Sequence, residues 1–445
     1  MCGIGVTDSA RSNAFGQLAG CRWGYPTWPP PVRHRAAACQ ADIKADIKAP
    51  IDRQEVPTAM EPLLIRESSR HRTRLADLAV ELTEKSTGLR RSLPPQIVHA
   101  LAAVVRAMNC YYSNLIEGHD THPIDIERAL NEDYSQDPKK RDLQLEAKAH
   151  IEVQQWIDDD GLPGPATSQA AILELHRQFC ERLPEDLLWV ENPETGERLN
   201  VIPGELRQHD VVVGRHVAIS PGALPRFMRR FEDGYARLGK VDRILAAATA
   251  HHRLLWMHPF LDGNGRVARL MSYALLREAM NTGGIWSVAR GLARNESAYK
   301  AHLAACDEPR HGDLDGRGNL SEERLAEFAV FFLETCIDQI DFMEALVQPD
   351  RLRHRILMWA EEEIRVGTLP PRADAVLEAV LYRGALPRSE VIHVSGTGER
   401  QARRISSALL DSGVLTAAST RAPLHLAFPA KLAARWLPGL FPDKP

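Results

Sequence analysis

Residues 258–269 read His258-Pro259-Phe260-Leu261-Asp262-Gly263-Asn264-Gly265-Arg266-Val267-Ala268-Arg269, set between the helical patterns DRILAAATAHHRLLWMH and RVARLMSYALLREAM. A glycine-flanked turn that runs straight into a helix lets backbone N–H groups converge, and the helix dipole adds partial positive charge. That is a cradle for phosphate oxygens. Arg266 and Arg269, three residues apart on the first turn, can both reach one polyanion, so a triphosphate is the natural ligand. Asp262 offers a hard oxygen suited to Mg²⁺ beside those phosphates, and His258 can accept a proton near neutral pH.

Around this turn, apolar residues recur at spacings of three and four from Pro62 to about Val347, as in IVHALAAVVRAMNCYYSNLIEG, AAILELHRQFCERL and ERLAEFAVFFLETCIDQIDFMEAL. One stretch departs from that rhythm. GERLNVIPGELRQHDVVVGRHVAIS places β-branched residues between Gly and Pro and reads as a β-hairpin lying on a helical body. Upstream, Ser113 and Glu117 are four apart and share a helix face; a capping box would need a spacing of three.

The 258–269 stretch resembles the signature of Fic-domain proteins, HPFxDGNGRxxR, at every defined position. The resemblance implies a helical Fic fold that moves AMP from ATP, with Mg²⁺, onto a Ser, Thr or Tyr hydroxyl of a target protein or of itself. In that reading His258 is the catalytic base. Asp262 holds Mg²⁺, Gly263, Asn264 and Gly265 cradle the α-phosphate, and Arg266 and Arg269 stabilise the β- and γ-phosphates. Phe260 is the motif's buried anchor. The hairpin is similar to the flap that registers the target peptide, which carries nucleotide or target contact onto Val211, Val212, Val213 and Gly214. Tyr299 and Asp307 lie where related proteins contact the nucleoside, although a packed helix residue fits Tyr299 equally well. Ser113-Asn114-Leu115-Ile116-Glu117-Gly118 resembles the inhibitory motif (S/T)xxxE(G/N) of one Fic class, with Arg269 as the implied partner of Glu117. Retained Gly263 and Gly265 favour AMP transfer over the kinase-like branch. Removal of AMP, with Glu117 positioning water, is a variant that the sequence does not separate from it.

Beyond a linking helix, RLRHRILMWAEEEIRV, and the break GTLPPR, three short helices (AVLEAVLYRG, LPRSEVIHVSG, GERQARRISSALLDSG) precede two β-like runs, VLTAAS and LHLAFP. This is the outline of a winged helix-turn-helix. Residues 372–445 hold ten Lys/Arg against six Asp/Glu, a local net of +4, and Arg400, Arg403 and Arg404 fall on the third helix. A rival reading is therefore a DNA-binding regulator with the Fic domain as its sensor; winged helices also dock proteins.

At 445 residues the chain exceeds a single domain. Its 44% hydrophobic and 26% charged content, with net charge −4, excludes wholesale disorder and collagen-like structure. No apolar run reaches the roughly 18 residues of a membrane span, so no membrane partner is expected. Seven scattered cysteines without CxxC spacing fit reduced thiols, as for Cys180 and Cys336 inside helices, and with no secretory signal they point to the cytoplasm. Two decoys fail. Asp313–Leu320 hints at a calcium loop but puts Arg317 and Arg324 at ligand positions, and the opening MCGIG has no supporting context for a cysteine nucleophile. His251 and His252 lack a third ligand at metal spacing, and His119 and His122 receive no role.

The expected architecture is mainly α, a Fic-type helical domain with a β-hairpin flap followed by a C-terminal winged helix-turn-helix. Its parts are an unordered extension at 1–59, with Met60 as an alternative translation start, and an N-terminal helical region with the inhibitory motif at 60–140. The catalytic domain takes 141–347, the linking helix 348–371 and the winged helix 372–445. A homodimer through the Fic domain is common among relatives.

Overall fold

The computed structural model describes residues 50–192 and 195–441. The first four helices are α1 (Arg72–Arg91), α2 (Pro95–Ile116), α3 (Pro123–Leu130) and α4 (Pro138–Asp158). Pro sits at the first position of α2, α3 and α4, where its missing N–H costs no intrahelical bond. Next come α5 (Gln169–Cys180), α6 (Leu224–Tyr235), α7 (Lys240–Met257), α8 (Asn264–Met280), α9 (Val288–Arg294), α10 (Glu296–Ala305) and α11 (Glu322–Val347). Ser168 and Ser321 cap α5 and α11 by accepting the N–H groups of Ala171 and Arg324, each at 3.1 Å.

α7 and α8 fold back on one another as the central pair, and α1, α5 and α11 pack around them. Residues 244–254 of α7 are buried throughout. A helix buried on all sides in this way belongs inside a layered helical body, and its polar side chains Thr249, His251, His252 and Arg253 are buried with it. One of these polar side chains, His251, is used in a relay: Tyr299 O–H donates to His251 Nε2 (2.7 Å), His251 Nδ1–H to Ser272 Oγ (2.9 Å), and Ser272 O–H to the Ala247 carbonyl (2.9 Å).

Where the sequence predicts one hairpin, the structure has two. β1 (Trp189–Glu191) pairs antiparallel with β2 (Arg198–Asn200), taking up the GERLN segment; β3 (Val212–Val213) pairs with β4 (His216–Val217) across Gly214 and Arg215. Pro203 and Gly204, the latter at φ 75°, end the first hairpin and bend the chain toward the second.

Residues 50–59, which the sequence places in an unordered extension, pack against the start of α6. Ile51 O accepts the Gly222 N–H at 2.9 Å, and Glu55 takes both the N–H (2.9 Å) and the hydroxyl of Ser220. Their charges are matched at the surface, where Asp52 pairs with Arg226 at 2.7 Å. Residues 1–49 lie outside the described residues.

From Gln348 the chain enters α12 (Pro349–Val366), the expected linking helix, and then α13 (Ala373–Arg383), β5 (Ala385–Leu386), α14 (Val391–Ser395), α15 (Glu399–Asp411), β6 (Leu415–Thr416), β7 (Leu424–Leu426) and α16 (Ala430–Trp436). The sequence expects the three helices and the last two strands here, but not β5 or α16. Strand β5 is only two residues long, too short for any periodicity, yet it completes a three-stranded sheet in the order β5-β7-β6 with Leu386 opposite Leu424 and Leu415 opposite Leu426. This unit is joined to the helical body by β7 on α2, α16 on α3 and α12, and Phe441, whose ring meets Tyr111 edge-on at 5.9 Å. Among the described residues no helix is long and apolar enough to cross a membrane.

Candidate active site

His258 closes α7 in the left-handed conformation (φ 50°, ψ 64°), a backbone state that β-carbon sterics disfavour and that must be held in place. Arg207 holds it. Its guanidinium, buried under the loop, donates to the carbonyls of His258 (2.7 Å), His209 (2.8 Å) and Ile219, while its own N–H bonds to Pro259 O at 2.9 Å. Burial lowers this guanidinium to about 10 without costing it its charge at neutral pH. The sequence offers no sign of Arg207's role, because its partners are backbone carbonyls, which no side-chain pattern reveals.

Burial pushes the His258 imidazole down to about 4, so it is neutral near pH 7. Its Nδ1 lies 3.3 Å from the Leu255 carbonyl, an acceptor, which makes Nδ1 the protonated nitrogen and places the basic lone pair on Nε2.

Between His258 and α8 the loop is shaped by two devices. Phe260 is fully buried and stacks flat on His176 of α5, with ring centroids 3.8 Å apart and planes 3° from parallel. Asn264 then locks the turn. Its Oδ1 accepts the Phe260 N–H at 3.0 Å and its Nδ2 donates to the Phe260 carbonyl at 2.8 Å. The Asn264 carboxamide, expected to face a phosphate, is here spent on the loop backbone. Gly263 (φ 78°) supplies the N-cap of α8, which leaves the first N–H groups of that helix available to an anion.

An anion is already there. A β-carbon built on Gly265 would overlap Glu117 Oε1 and approach Arg269 Nη1 to 3.1 Å, so the Glu117 carboxylate lies over the first turn of α8. Arg269 Nη2 donates to Glu117 Oε1, while its Nε donates to Ser113 Oγ at 2.8 Å and its Nη2 also reaches the Ser113 carbonyl at 3.3 Å. Burial on its own would raise the Glu117 carboxyl, but the charges of Arg269 and Arg266 outweigh it and hold it below the usual range.

Arg266 turns to a different acid. Its Nη2 donates to Glu146 Oε2 of α4 at 3.0 Å, and His119 Nδ1 sits 2.8 Å from the same oxygen. Burial would raise Glu146 too, and Arg266 and His119 more than offset it. The sequence analysis leaves His119 without a role and does not single out Glu146. A signal existed: Glu146 falls on the buried stripe Glu146, His150, Val153, Ile157 of α4, where a lone carboxylate requires a partner.

The remaining candidates divide. Asp262 is half-buried at the mouth of the turn, near enough for its charge to act on His258, His176 and Glu117. Val212 (64% exposed) and Val217 (61%) point outward from the second hairpin, Val211 O accepts the Ala218 N–H at 3.1 Å, and Gly214 turns at φ 61°. His216 Nε2 lies 2.7 Å from the Trp256 carbonyl, which ties this hairpin to the end of α7 that carries His258. Tyr299 is 2% exposed and bound to His251, a packed helix residue in this state, and Asp307 lies 3.1 Å from His252. Asp315 caps its own surface loop by accepting the N–H groups of His311 and Glu323, each at 2.8 Å. Cys110, Cys180, Cys306 and Cys336 are buried free thiols.

Residues 166–276 match the model of the Fic/DOC family. Protein adenylyltransferase Fic of Drosophila willistoni is 30% identical over 224 residues, 48% of this chain and 42% of that protein. The protein of the same name in Drosophila yakuba is 37% identical over 110 residues, 24% of this chain and 19% of its own length. The match thus spans less than half the length of these curated relatives. Among solved structures, a Fic family protein from Desulfovibrio desulfuricans is 16% identical with a TM-score of 0.49, covering 82% of this chain and 98% of that one. Fic-1 from C. elegans is 18% identical with a TM-score of 0.42, covering 62% and 72%.

Proposed function

We propose, from the match of residues 166–276 to the Fic/DOC family model, that the chain is a self-inhibited protein adenylyltransferase that transfers AMP from ATP to a hydroxyl side chain of a protein or of itself. The observation that carries this reading is the Glu117 carboxylate lying over the first turn of α8 and bonded to Arg269, where an anionic ligand of that helix start would lie.

His258 Nε2 takes the proton from the incoming hydroxyl as its oxygen bonds to the α-phosphorus. The bond from that phosphorus to the bridging oxygen breaks in line, and pyrophosphate leaves with the electron pair. A base that is neutral down to about pH 4 is ready for this throughout the neutral range. The amide groups at the start of α8 stabilise charge on the α-phosphate, and Arg269, once free of Glu117, meets the outer phosphates. Asn264 contributes by fixing the loop that aims those amides.

Mg²⁺ fits the residues present. Asp262 is a single half-buried carboxylate beside the helix start, and among the described residues no group of three His, Cys, Asp or Glu forms a ready cage. Mg²⁺ is commonly held by one or two carboxylates together with substrate phosphates. When bound, it neutralises phosphate charge. The second hairpin, with outward Val212 and Val217, offers a strand edge along which a target segment is held.

Incubation of full-length Glu117→Gly protein with ATP and Mg²⁺, followed by mass spectrometry, tests the reading: an added AMP that disappears with His258→Ala supports it, and no adduct on self or on lysate protein rejects it. Loss of AMP from a pre-modified protein, without transfer, would instead assign Glu117 to positioning water for the reverse reaction.

A further inference from the structure

The C-terminal unit is not used by the chemistry above, and its order, α13, β5, α14, α15, β6, β7, with the sheet arranged β5-β7-β6, is that of a winged helix. We propose that it docks double-stranded DNA, with α15 against the major groove and the β6–β7 turn against the adjoining backbone.

α15 buries Ala402, Ile405, Ser406 and Leu409, a stripe at helical spacing that packs it on α13, α14 and β6. Its other face is left exposed with Arg400, Arg403, Arg404 and Ser407. Contacts to the helical body are made by other parts of the unit, namely β7, α16 and Phe441. A surface hollow of about 500 Å³ runs from Arg403 and Ser407 to Arg388 and Ser389 before α14 and to Thr420 in the wing. Arg421 is exposed beside Thr420. Guanidinium and hydroxyl donors arranged in this way suit phosphate oxygens on either side of an inserted helix.

The local acids do not cancel this face. Glu390 is paired with Arg383, and Glu399 with Arg403 at 3.2 Å, while among the described residues Arg400, Arg404 and Arg421 have no carboxylate partner. A partner with regularly spaced negative charge complements three such arginines better than an acidic protein patch, because donors on the helix and the wing are engaged together.

With three to five phosphate contacts, log K falls with log salt at a slope of about −2.7 to −4.5, a loss of about 40- to 500-fold between 50 and 200 mM. The test is fluorescence anisotropy of a labelled random 20-base-pair duplex with the full chain at both salt concentrations, wild type against Arg400→Ala/Arg404→Ala. Binding with that salt dependence, and a slope smaller by about 1.8 in the double variant, supports the proposal. Both residues are exposed, so an unchanged thermal melt shows that the variant is folded. No anisotropy change at 50 mM salt, or equal binding by the double variant, overturns it and leaves the face to a protein partner.

Discussion

Replacing Glu117 by Gly removes the carboxylate above α8 and leaves Arg269 without its acid. The side chains of that pair are 3% and 16% exposed, so it is a buried ion pair, and breaking one by deleting a partner costs about 3–5 kcal/mol. If closure of this contact is what keeps Arg269 from the outer phosphates, the same energy sets the fraction of molecules able to react. At about 1.4 kcal/mol per tenfold, the variant should label itself faster by roughly two to three and a half orders of magnitude. The assay is the initial rate of self-labelling from ATP carrying the label at its α-phosphate, with Mg²⁺, for wild type, Glu117→Gly and Glu117→Gly/His258→Ala. Thermal melting gives a second readout independent of chemistry: the variant without nucleotide should melt below wild type and recover more than wild type when ATP is added. A rise of less than about threefold, far below what the pair's burial supports, would refute the latch, and labelling that persists without His258 would refute the assignment of the base.

Glu146→Gln should lower the urea midpoint by an amount equal to about 3–5 kcal/mol, because Arg266, with a side chain 4% exposed, loses its acid; an unchanged midpoint would mean that water already screens the pair. Arg207→Met leaves three loop carbonyls without their donor and should cost about 2–4 kcal/mol in the same measurement, together with slower labelling in the Glu117→Gly background as His258 relaxes from its left-handed turn. Acid should destabilise the fold early. His150, His176, His251, His252 and His258 are pushed by burial to about 3 or 4, so between pH 6.5 and about 4 the unfolded chain takes up protons that the folded chain refuses. Stability present above pH 6.5 is therefore lost as pH falls, by about 1.3 kcal/mol for each ring between pH 7 and 5.5; equal urea midpoints at those two pH values would contradict it.

What the sequence made legible was whatever repeats locally or bonds through side chains near in the chain. The helical body announced itself by spacing, though the seven-residue α16 did not, the 258–269 turn by its glycines, and the Ser113–Glu117 face by a separation of four. Pairing of Glu117 with Arg269, 152 residues apart, was reachable only through family resemblance. Arg207 escaped because it serves carbonyls, and Glu146 because the partners that explain it lie 27 and 120 residues away. β5 escaped because two residues carry no period. The segment 50–59 was misplaced for a related reason: its order comes from Arg226 and Ser220, far down the chain, rather than from any apolar pattern of its own.

The two arginines of the first two turns of α8 look interchangeable in the sequence, since a spacing of three lets both face one polyanion. Their acids separate them. Glu146 lies in the middle of α4, with a side chain 6% exposed, held by neighbours on its own buried stripe and by His119; releasing it would require α4 to move. Glu117 is the C-cap of α2, followed at once by Gly118 at φ 86°, so only a helix end and a turn must shift to withdraw it. The energies of the two pairs are of the same order, but the structural cost of opening them is not. A ligand competing for this site would displace the acid held by the smaller element. On that ground the proposed function assigns the exchange between Glu117 and a phosphate to Arg269, and gives Arg266, paired with Glu146, the part of fixing the start of α8 against α4.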